Sequence, residues 1–254
     1  MNKDSYYLDR ALKLAAGGRG KTAPNPMVGA VLVKNGLILS EAYHRLHGGL
    51  HAEAEALQAA GPFARGADLY CNLEPCSYRS PEKHQGPCTE KIIAADIRHV
   101  HIGQLDPNPK IRGRGLRALE AAGIRVSVAD YQEPFWYFND AFNTWMALSR
   151  PFVHLKCAMS LDGRIAAAGG DSRWISDQAA RREAHRFRAE RDAVAVGIGT
   201  VLADNPELTT RLVDGKSPRP LVFDSSLKIP PASRLVCERG GELPCADRPS
   251  KEIP

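Results

Sequence analysis

The sequence predicts an α/β protein in which helices cover both faces of a sheet, followed by a second, smaller α/β unit. The main observation is that apolar runs of strand length alternate with segments of helical period through the first half of the chain. A second observation is an Asn35-Gly36 pair between two such runs, which is typical of a hairpin turn. The third is a composition of 43% hydrophobic and 25% charged residues over 254 positions, as in soluble proteins with one large domain or two ordinary ones.

The first half contains the elements of one complete sheet. Apolar residues from Tyr7 to Ala15 repeat at helical spacing after Asp4, a capping residue, and nearby glycines end this helix. The elements that follow are predicted, in order, as strands Val28–Val33 and Leu37–Glu41, helix His51–Ala60, strand Ala67–Asn72, helix Thr89–Ala95, strand Arg98–Gln104, helix Ile111–Ala122 and strand Ile124–Ala129. This alternation indicates a mainly parallel sheet covered on both faces.

An aromatic-rich helical segment between Phe135 and Trp145 marks the end of the first unit. We therefore predict two domains, residues 1–148 and 149–254. The second is predicted to contain strands Phe152–Cys157, Asp192–Gly197 and Pro220–Asp224, with a helix Asp177–Arg188 capped by Ser176. The arginines of that helix alternate with glutamates, a pattern typical of a solvated face, although one inward arginine could hold a phosphate.

Charge and cysteine content restrict the class of protein. The net charge of +5 suits a phosphate-bearing substrate and is too small to indicate a nucleic-acid partner. No apolar run approaches the ~18 residues of a membrane span, and the first residues do not resemble a signal peptide. Six cysteines in a chain of this length do not form a disulfide framework, which favours a reducing, cytoplasmic location.

A candidate metal site lies between His51 and Cys88. His51 and the two cysteines that follow proline, Cys76 and Cys88, are suitable ligands for a tetrahedral Zn²⁺ with one position left for water. Glu53 lies two residues after the histidine, where it could transfer protons without binding the metal. This order of residues is the general signature of zinc nucleobase deaminases, in which zinc lowers the pKa of a water and the carboxylate moves its proton to the leaving ammonia.

The same residues could instead be a surface imidazole and two buried thiols, since free cysteine is often buried. Their joint pattern, with both cysteines after proline, favours the metal site. The cysteines are separated by eleven residues and not by the usual two, so the prediction requires a loop that returns the chain to the metal.

Longer motifs extend through both halves of the sequence. Residues 1–150 contain Pro24-Asn25-Pro26-x-Val28-Gly29, His51-Ala52-Glu53, Leu73-Glu74-Pro75-Cys76 and Asp106-Pro107-Asn108-Pro109 with Gly113-x-Gly115. Residues 151–224, with Arg150 just before them, contain Arg150-Pro151-Phe152-Val153, Ser160-Leu161-Asp162-Gly163-Arg164, Trp174-Ile175 and Thr200-Val201-Leu202-Ala203-Asp204-Asn205-Pro206. On these motifs, residues 1–150 resemble the deaminase half of the bifunctional riboflavin-biosynthesis deaminase–reductases, and residues 151–224 resemble the start of the reductase half.

The resemblance implies a cytidine-deaminase-like three-layer α/β/α domain followed by a partial dihydrofolate-reductase-like α/β domain. It implies that the first domain removes the 2-amino group of 2,5-diamino-6-(5-phosphoribosylamino)pyrimidin-4(3H)-one by hydrolysis. By motif matching, His51, Cys76 and Cys88 become zinc ligands and Glu53 becomes the proton shuttle. Candidate substrate contacts are Asn25, His44 and Asn108, with Lys83 and His84 in a loop about three residues longer than the family pattern.

In the family the second domain uses NADPH to open and reduce the ribose. Positions that match nucleotide contacts are Ala158, Trp174, Thr200 and Asp204, and those that match substrate contacts are Ser172, Arg188, Leu208 and Arg211. After Val236 the sequence no longer matches the family, and the second half of the reductase, including a glycine-rich nucleotide loop, is missing from it. We therefore expect this polypeptide to deaminate without reducing, to bind NADPH weakly, to self-associate as a homo-oligomer, and to be poorly ordered beyond about Val236.

Two other functions remain open at this stage. A deaminase acting on adenosine in transfer RNA shares the zinc chemistry, but it normally has the short cysteine spacing and no reductase-like partner. A non-catalytic relative with a structural zinc would have no use for Glu53. Zinc content and ammonia release distinguish these alternatives.

Overall fold

A computed structural model of the protein describes residues 3–79 and 86–239. The chain divides into two compact units, Met1–His154 and Leu155–Pro254. The predicted division between residues 148 and 149 falls slightly earlier and stays a prediction. Within the described residues, no helix combines the length and the apolar character needed to cross a membrane.

The first unit is built on a five-stranded sheet with the order β2-β1-β3-β4-β5. In chain order its elements are α1 (Lys3–Ala15), β1 (Gly29–Lys34), β2 (Leu37–Tyr43), α2 (Ala52–Ala60), β3 (Asp68–Leu73), α3 (Cys88–Ala94), β4 (His99–Gln104), α4 (Arg114–Ala121), β5 (Arg125–Val128), α5 (Glu133–Phe138) and α6 (Asp140–Leu148). The predicted aromatic helix is thus two helices. They meet at Asn139, which precedes the first residue of α6 and makes no side-chain capping hydrogen bond to it.

Two apolar cores cover the two faces of this sheet, because successive side chains of a strand point to opposite faces. Ala30 and Leu32 of β1 belong to a core that α2, α3 and α4 complete, with Ile92 and Leu119 among its fully buried residues. Val31 and Val33 belong to the opposite core, completed by Leu8 and Ala11 of α1 and by Phe135 of α5. The predicted three-layer α/β/α arrangement is therefore confirmed.

The prediction of a mainly parallel sheet is only half right. β3, β4 and β5 are parallel, but β1 is antiparallel to both β2 and β3. The Asn35-Gly36 hairpin reverses the chain, and the α2 crossover then carries it past β1, so β3 runs in the direction of β2 and opposite to the strand between them. The parallel part nonetheless brings the carboxyl ends of β3 and β4 together, where open α/β sheets place their sites.

The second unit contains α7 (Gln178–Glu190), β6 (Ala193–Gly197), α8 (Ile198–Asp204), β7 (Arg219–Phe223) and α9 (Arg234–Arg239). β6 and β7 form a parallel two-stranded sheet, and a small core forms around Val201, Leu208 and Leu235.

Three predictions for the second unit need correction. Residues 152–157 do not belong to any strand of the two described sheets. The cap of α7 is Asp177 and not Ser176, because the Asp177 carboxylate accepts a hydrogen bond from the Ala180 N–H at 2.8 Å. Helix α9 continues to Arg239, beyond the predicted loss of order at Val236, and later residues lie outside the described part of the chain.

Candidate metal centre and substrate site

His51, Cys76 and Cys88 come together as a group of side chains that could hold a metal ion, with their ligand atoms within 4.8 Å of one another. His51 Nδ1 lies 3.6 Å from Cys76 Sγ and 3.3 Å from Cys88 Sγ. Ligands bound to a tetrahedral Zn²⁺ at normal nitrogen and sulfur bond lengths are about 3.5 Å apart. The two measured separations and the donor types therefore fit zinc.

Element ends supply all three side chains. His51 is the cap of α2, Cys76 follows the end of β3, and Cys88 is the first residue of α3. The Cys88 N–H donates to Cys76 Sγ at 3.4 Å, and the Thr89 N–H donates to the Cys76 carbonyl at 3.2 Å. The start of α3 is thus fastened to the end of the β3 segment, so the chain between the cysteines returns to the site as predicted.

Glu53 lies in the first turn of α2 and is only 3% exposed. Its Oε2 is buried and has no hydrogen-bond partner among the described residues. Burial raises the pKa of this carboxyl group, and the nearby His51 partly offsets that effect. A buried carboxylate oxygen without a partner, beside a group of metal ligands, is what a water on the metal would satisfy.

The two thiols differ electrostatically. A hydrogen bond from the Cys88 thiol, together with the His51 ring, lowers the pKa of Cys76. That same bond and burial raise the pKa of Cys88. A bound cation would favour the thiolate of both cysteines.

Two of the predicted substrate residues lie beside the metal ligands. The rings of His44 and His51 are 5.4 Å apart, and His44 Nε2 lies 3.3 Å from Asn25 Nδ2. His44 Nδ1 lies 2.8 Å from the Leu50 carbonyl, which can only accept, so this nitrogen carries the proton. Burial lowers the pKa of His44 and favours the neutral ring, which leaves Nε2 to accept from the Asn25 amide.

Asn108, the third predicted substrate residue, lies on a segment that a buried glutamate holds in place. Glu74 is 6% exposed and accepts four backbone hydrogen bonds. The four donors, all between 2.8 and 3.3 Å, are the N–H groups of Asp106, Gly113, Gly115 and Leu116. Because Glu74 precedes Pro75-Cys76, this clamp ties the segment of Asn108 to the chain that delivers a metal ligand.

The second unit brings three of its four predicted substrate residues into one neighbourhood. The half-buried Arg188 donates to the Thr209 carbonyl at 3.1 Å, between Leu208 and Arg211 in sequence. Burial, and secondarily the charge of Arg211, lowers the pKa of Arg188. Leu208 itself is 4% exposed and belongs to the small core, so its side chain packs inside the unit.

Ser172, the fourth, lines a shallow depression of about 650 Å³ together with Trp174. Arg164 and Arg173 also line it, and Arg173 lies 3.6 Å from Asp204. An indole for stacking and two guanidinium groups for phosphates fit one wall of a nucleotide site. Of the other predicted nucleotide residues, Ala158 is half-buried and Thr200 is exposed near the start of α8. Lys83 and His84 lie outside the described residues.

Reasoning from the sequence missed the roles of Glu74 and of the asparagines Asn72 and Asn139. Asn72 and Glu74 lie at and just after the end of the buried strand β3. Polar residues at the end of an apolar strand were the available signal. Asn139 offered none, because its partner Met27 is 112 positions away.

Comparisons with known proteins agree with this geometry. Residues 1–104 match the family described as "Cytidine and deoxycytidylate deaminase zinc-binding region", and residues 151–243 match "RibD C-terminal domain". The RibD of Bacillus amyloliquefaciens is 42% identical over 236 residues, which are 92% of this chain and 63% of that protein. The Escherichia coli RibD is 41% identical, over 94% of this chain and 68% of the relative.

Solved structures show the same relationship. The structure of Acinetobacter baumannii RibD superposes with a TM-score of 0.84 at 35% identity, covering 94% of this chain and 68% of that one. The Thermotoga maritima diaminohydroxyphosphoribosylaminopyrimidine deaminase/5-amino-6-(5-phosphoribosylamino)uracil reductase gives 0.80 at 42% identity, covering 88% and 63%. The chain thus spans about two thirds of the length of these relatives. On the similarity of both its units, it belongs to the RibD family of bifunctional riboflavin-biosynthesis deaminase–reductases.

Proposed function

We propose that this polypeptide is a zinc-dependent deaminase that hydrolyses the 2-amino group of 2,5-diamino-6-(5-phosphoribosylamino)pyrimidin-4(3H)-one. The observation that carries the proposal is the buried, unsatisfied Oε2 of Glu53 beside the His51, Cys76 and Cys88 ligand group. A merely structural metal would leave that oxygen without a function, because buried polar atoms normally have partners. This argues against a non-catalytic relative. The relatives named above, all RibD proteins, give no support to a transfer-RNA deaminase.

The zinc, held by His51, Cys76 and Cys88, would act as a Lewis acid that lowers the pKa of a water, so that near neutral pH the water could lose a proton and attack the carbon that bears the 2-amino group. Glu53 would accept a proton from that water with Oε2 and deliver it to the departing amino group. Its raised pKa suits a group that both takes and gives a proton.

Substrate orientation would fall to the residues around the metal ligands. The hydrogen bond to His44 fixes the Asn25 amide with its nitrogen toward His44, so we propose that Asn25 Oδ1 accepts from a donor on the pyrimidine. Asn108 would contact the substrate from the segment that Glu74 clamps. The modest positive charge of the chain suits the phosphate.

For the second unit, we propose that Trp174, Arg173 and Asp204 form part of an NADPH-binding surface, with Thr200 and Ala158 as further contacts. Ser172, Arg188 and Arg211 are proposed as substrate contacts of the reductase-like unit, and Leu208, whose side chain is buried in the small core, could contact substrate only through its backbone. Homo-oligomerisation, a cytoplasmic location and the domain division at residues 148 and 149 also remain predictions. Analytical ultracentrifugation, cell fractionation and expression of residues 1–148 would test them.

The function is tested by measuring ammonia released from the diaminopyrimidinone phosphate, with zinc quantified on the same sample. Glu53→Gln keeps the shape of the side chain while removing the base, so we expect it to retain zinc and folding. Its turnover should fall by at least the ~10²–10⁴-fold typical of lost acid–base catalysis. Loss of zinc from Glu53→Gln would make Glu53 a ligand or a structural anchor and contradict this mechanism.

A further inference from the structure

The backbone N–H and the backbone carbonyl of Met27 are both hydrogen-bonded to the same side chain. The Met27 N–H donates to Asn139 Oδ1 at 2.9 Å, and Asn139 Nδ2 donates back to the Met27 carbonyl at 3.0 Å. Asn139 is 5% exposed and lies at the junction of α5 and α6. Its side-chain amide is therefore committed to a residue far away in sequence.

Met27 belongs to the segment that carries Asn25, which lies against His44 beside the metal ligand His51. Asn72 at the end of β3 reinforces the attachment, since its Nδ2 donates to the Met27 carbonyl at 3.0 Å and its Oδ1 accepts from the Gly29 N–H at 2.8 Å. On the other side of Met27, Asn25 lies 3.3 Å from His44. The attachment by Asn139 is thus two residues from a proposed substrate contact.

Buried contacts fix the junction of α5 and α6 to the sheet. Asn143 of α6 is fully buried, accepts from Gln104 Nε2 at the end of β4 at 3.0 Å, and donates to the Trp136 carbonyl at 2.7 Å. On α5, Phe135 packs so closely on Gly103 that a Cβ there would lie 2.6 Å from its ring. Asn139 therefore connects the substrate segment to helices that are fixed on the sheet.

We propose that Asn139 is a positioning residue of the deaminase site. By holding the backbone of Met27, it fixes the position of Asn25. The inference rests on the proposed function for its catalytic consequence. Displacement of an aligning group by about 1 Å can cost about 10²-fold in rate, so a single lost attachment two residues away has a measurable effect.

The test compares Asn139→Ala with Asn143→Ala. Each variant loses a buried amide of the same helix pair, but only Asn139 contacts the substrate segment. We expect Asn139→Ala to raise KM for the diaminopyrimidinone phosphate at least about 10-fold with a smaller change in kcat and unchanged zinc content. Asn143→Ala should lower the thermal stability and raise KM less than Asn139→Ala does, because Phe135 still packs the helix pair against Gly103 of the sheet.

Hydrogen exchange gives a second readout that does not depend on activity. The Met27 amide is protected by Asn139, so Asn139→Ala should speed exchange in a peptide covering residues 23–33 by at least about 10-fold, and Asn143→Ala should not. If Asn139→Ala does not fold, Asn139→Asp replaces it, because it keeps the acceptor for the Met27 N–H and loses the donor to the Met27 carbonyl; an increased KM is again expected.

The outcomes separate this inference from the proposed function. A wild-type protein that releases no ammonia contradicts the function, while the exchange experiment still decides whether Asn139 holds the segment. Equal increases of KM in the Asn139 and Asn143 variants would show a merely structural role and overturn the inference. Unchanged KM and exchange in a folded Asn139 variant would also overturn it.

Discussion

Glu74→Gln is the substitution that most directly tests how the carboxyl end of the sheet is assembled. The two carboxylate oxygens of Glu74 share four backbone donors, with Oε2 accepting from Asp106 and Gly113 and Oε1 from Gly115 and Leu116. Glutamine has nearly the same shape but only one accepting oxygen. Its NH₂ group would face two N–H donors that have lost their acceptor.

The expected cost follows from that count. Hydrogen bonds to a charged group contribute about 1.5–3 kcal/mol each, so the loss of two predicts a decrease of about 3–6 kcal/mol in the free energy of unfolding. Such a loss is a large part of the roughly 5–15 kcal/mol that stabilises a typical domain. For a unit of about 150 residues it corresponds to a decrease of roughly 10–20 °C in Tm.

The surroundings leave little room to relax. A Cβ on Gly115 would lie 2.2 Å from the Pro75 carbonyl, so the first turn of α4 lies directly against the Glu74-Pro75 backbone. The amide introduced by Glu74→Gln therefore has no easy way to turn its NH₂ group toward another acceptor without moving α4 or the chain leading to Cys76.

The assay is thermal unfolding followed by circular dichroism, with zinc content measured on each sample. Glu120→Gln is the matched control, because Glu120 is an exposed carboxylate on the same helix α4 and its replacement should leave Tm within about 2 °C. A Glu74→Gln protein as stable as Glu120→Gln would refute the clamp.

The remaining predictions concern metal and pH. Cys88→Ser should lose most of its zinc while Cys157→Ser, at an exposed thiol, keeps one zinc per chain; unchanged zinc in Cys88→Ser would remove that ligand from the site. Burial, and then the charge of His99, lowers the pKa of His101 to about 4 from its usual 6.5, so the unfolded chain binds more protons between those values. The free energy of unfolding should therefore decrease as pH falls from about 6.5 to 4. Denaturant titrations at several pH values should show a weaker pH dependence in His101→Phe than in wild type, and an identical pH dependence in the two proteins would contradict this prediction.

The metal ligands could be predicted from the sequence because the signal for each of them is local. His51 and Glu53 occur together before a helical run, and each cysteine follows proline at the end or start of an element. Element types were also local, which is why the order of strands and helices from α1 to β5 was predicted correctly, whereas the aromatic-rich segment proved to be two helices. These properties depend on residues close in sequence, where chain connectivity already fixes the neighbourhood.

Pairing and support could not be predicted in the same way. The antiparallel pairing of β1 with β3 depends on whether the chain after α2 places β3 beside β1 or beside β2. The alternation of apolar and polar residues in β3 is the same in both arrangements, so it cannot distinguish them. Residues 152–157 have an apolar pattern that suits a strand, but whether such a segment joins a sheet depends on chain segments distant in sequence. The hydrogen bonds that support the site join residues far apart in sequence: 32 to 42 positions for those of Glu74 and 112 positions for that between Asn139 and Met27. Nothing in the local pattern indicates such partners.

The direct contacts between the cysteine segments explain how the metal group accommodates an unusually long connection. The start of α3 is bonded to Cys76 through the N–H groups of Cys88 and Thr89, so the separation of the two sulfur ligands is set by these bonds and not by the number of residues between them. Lengthening a closed loop from about eight to eleven residues costs only about 0.3 kcal/mol of closure entropy. One backbone hydrogen bond, at about 1 kcal/mol, offsets that cost. The length of this connection can therefore vary without moving the ligands.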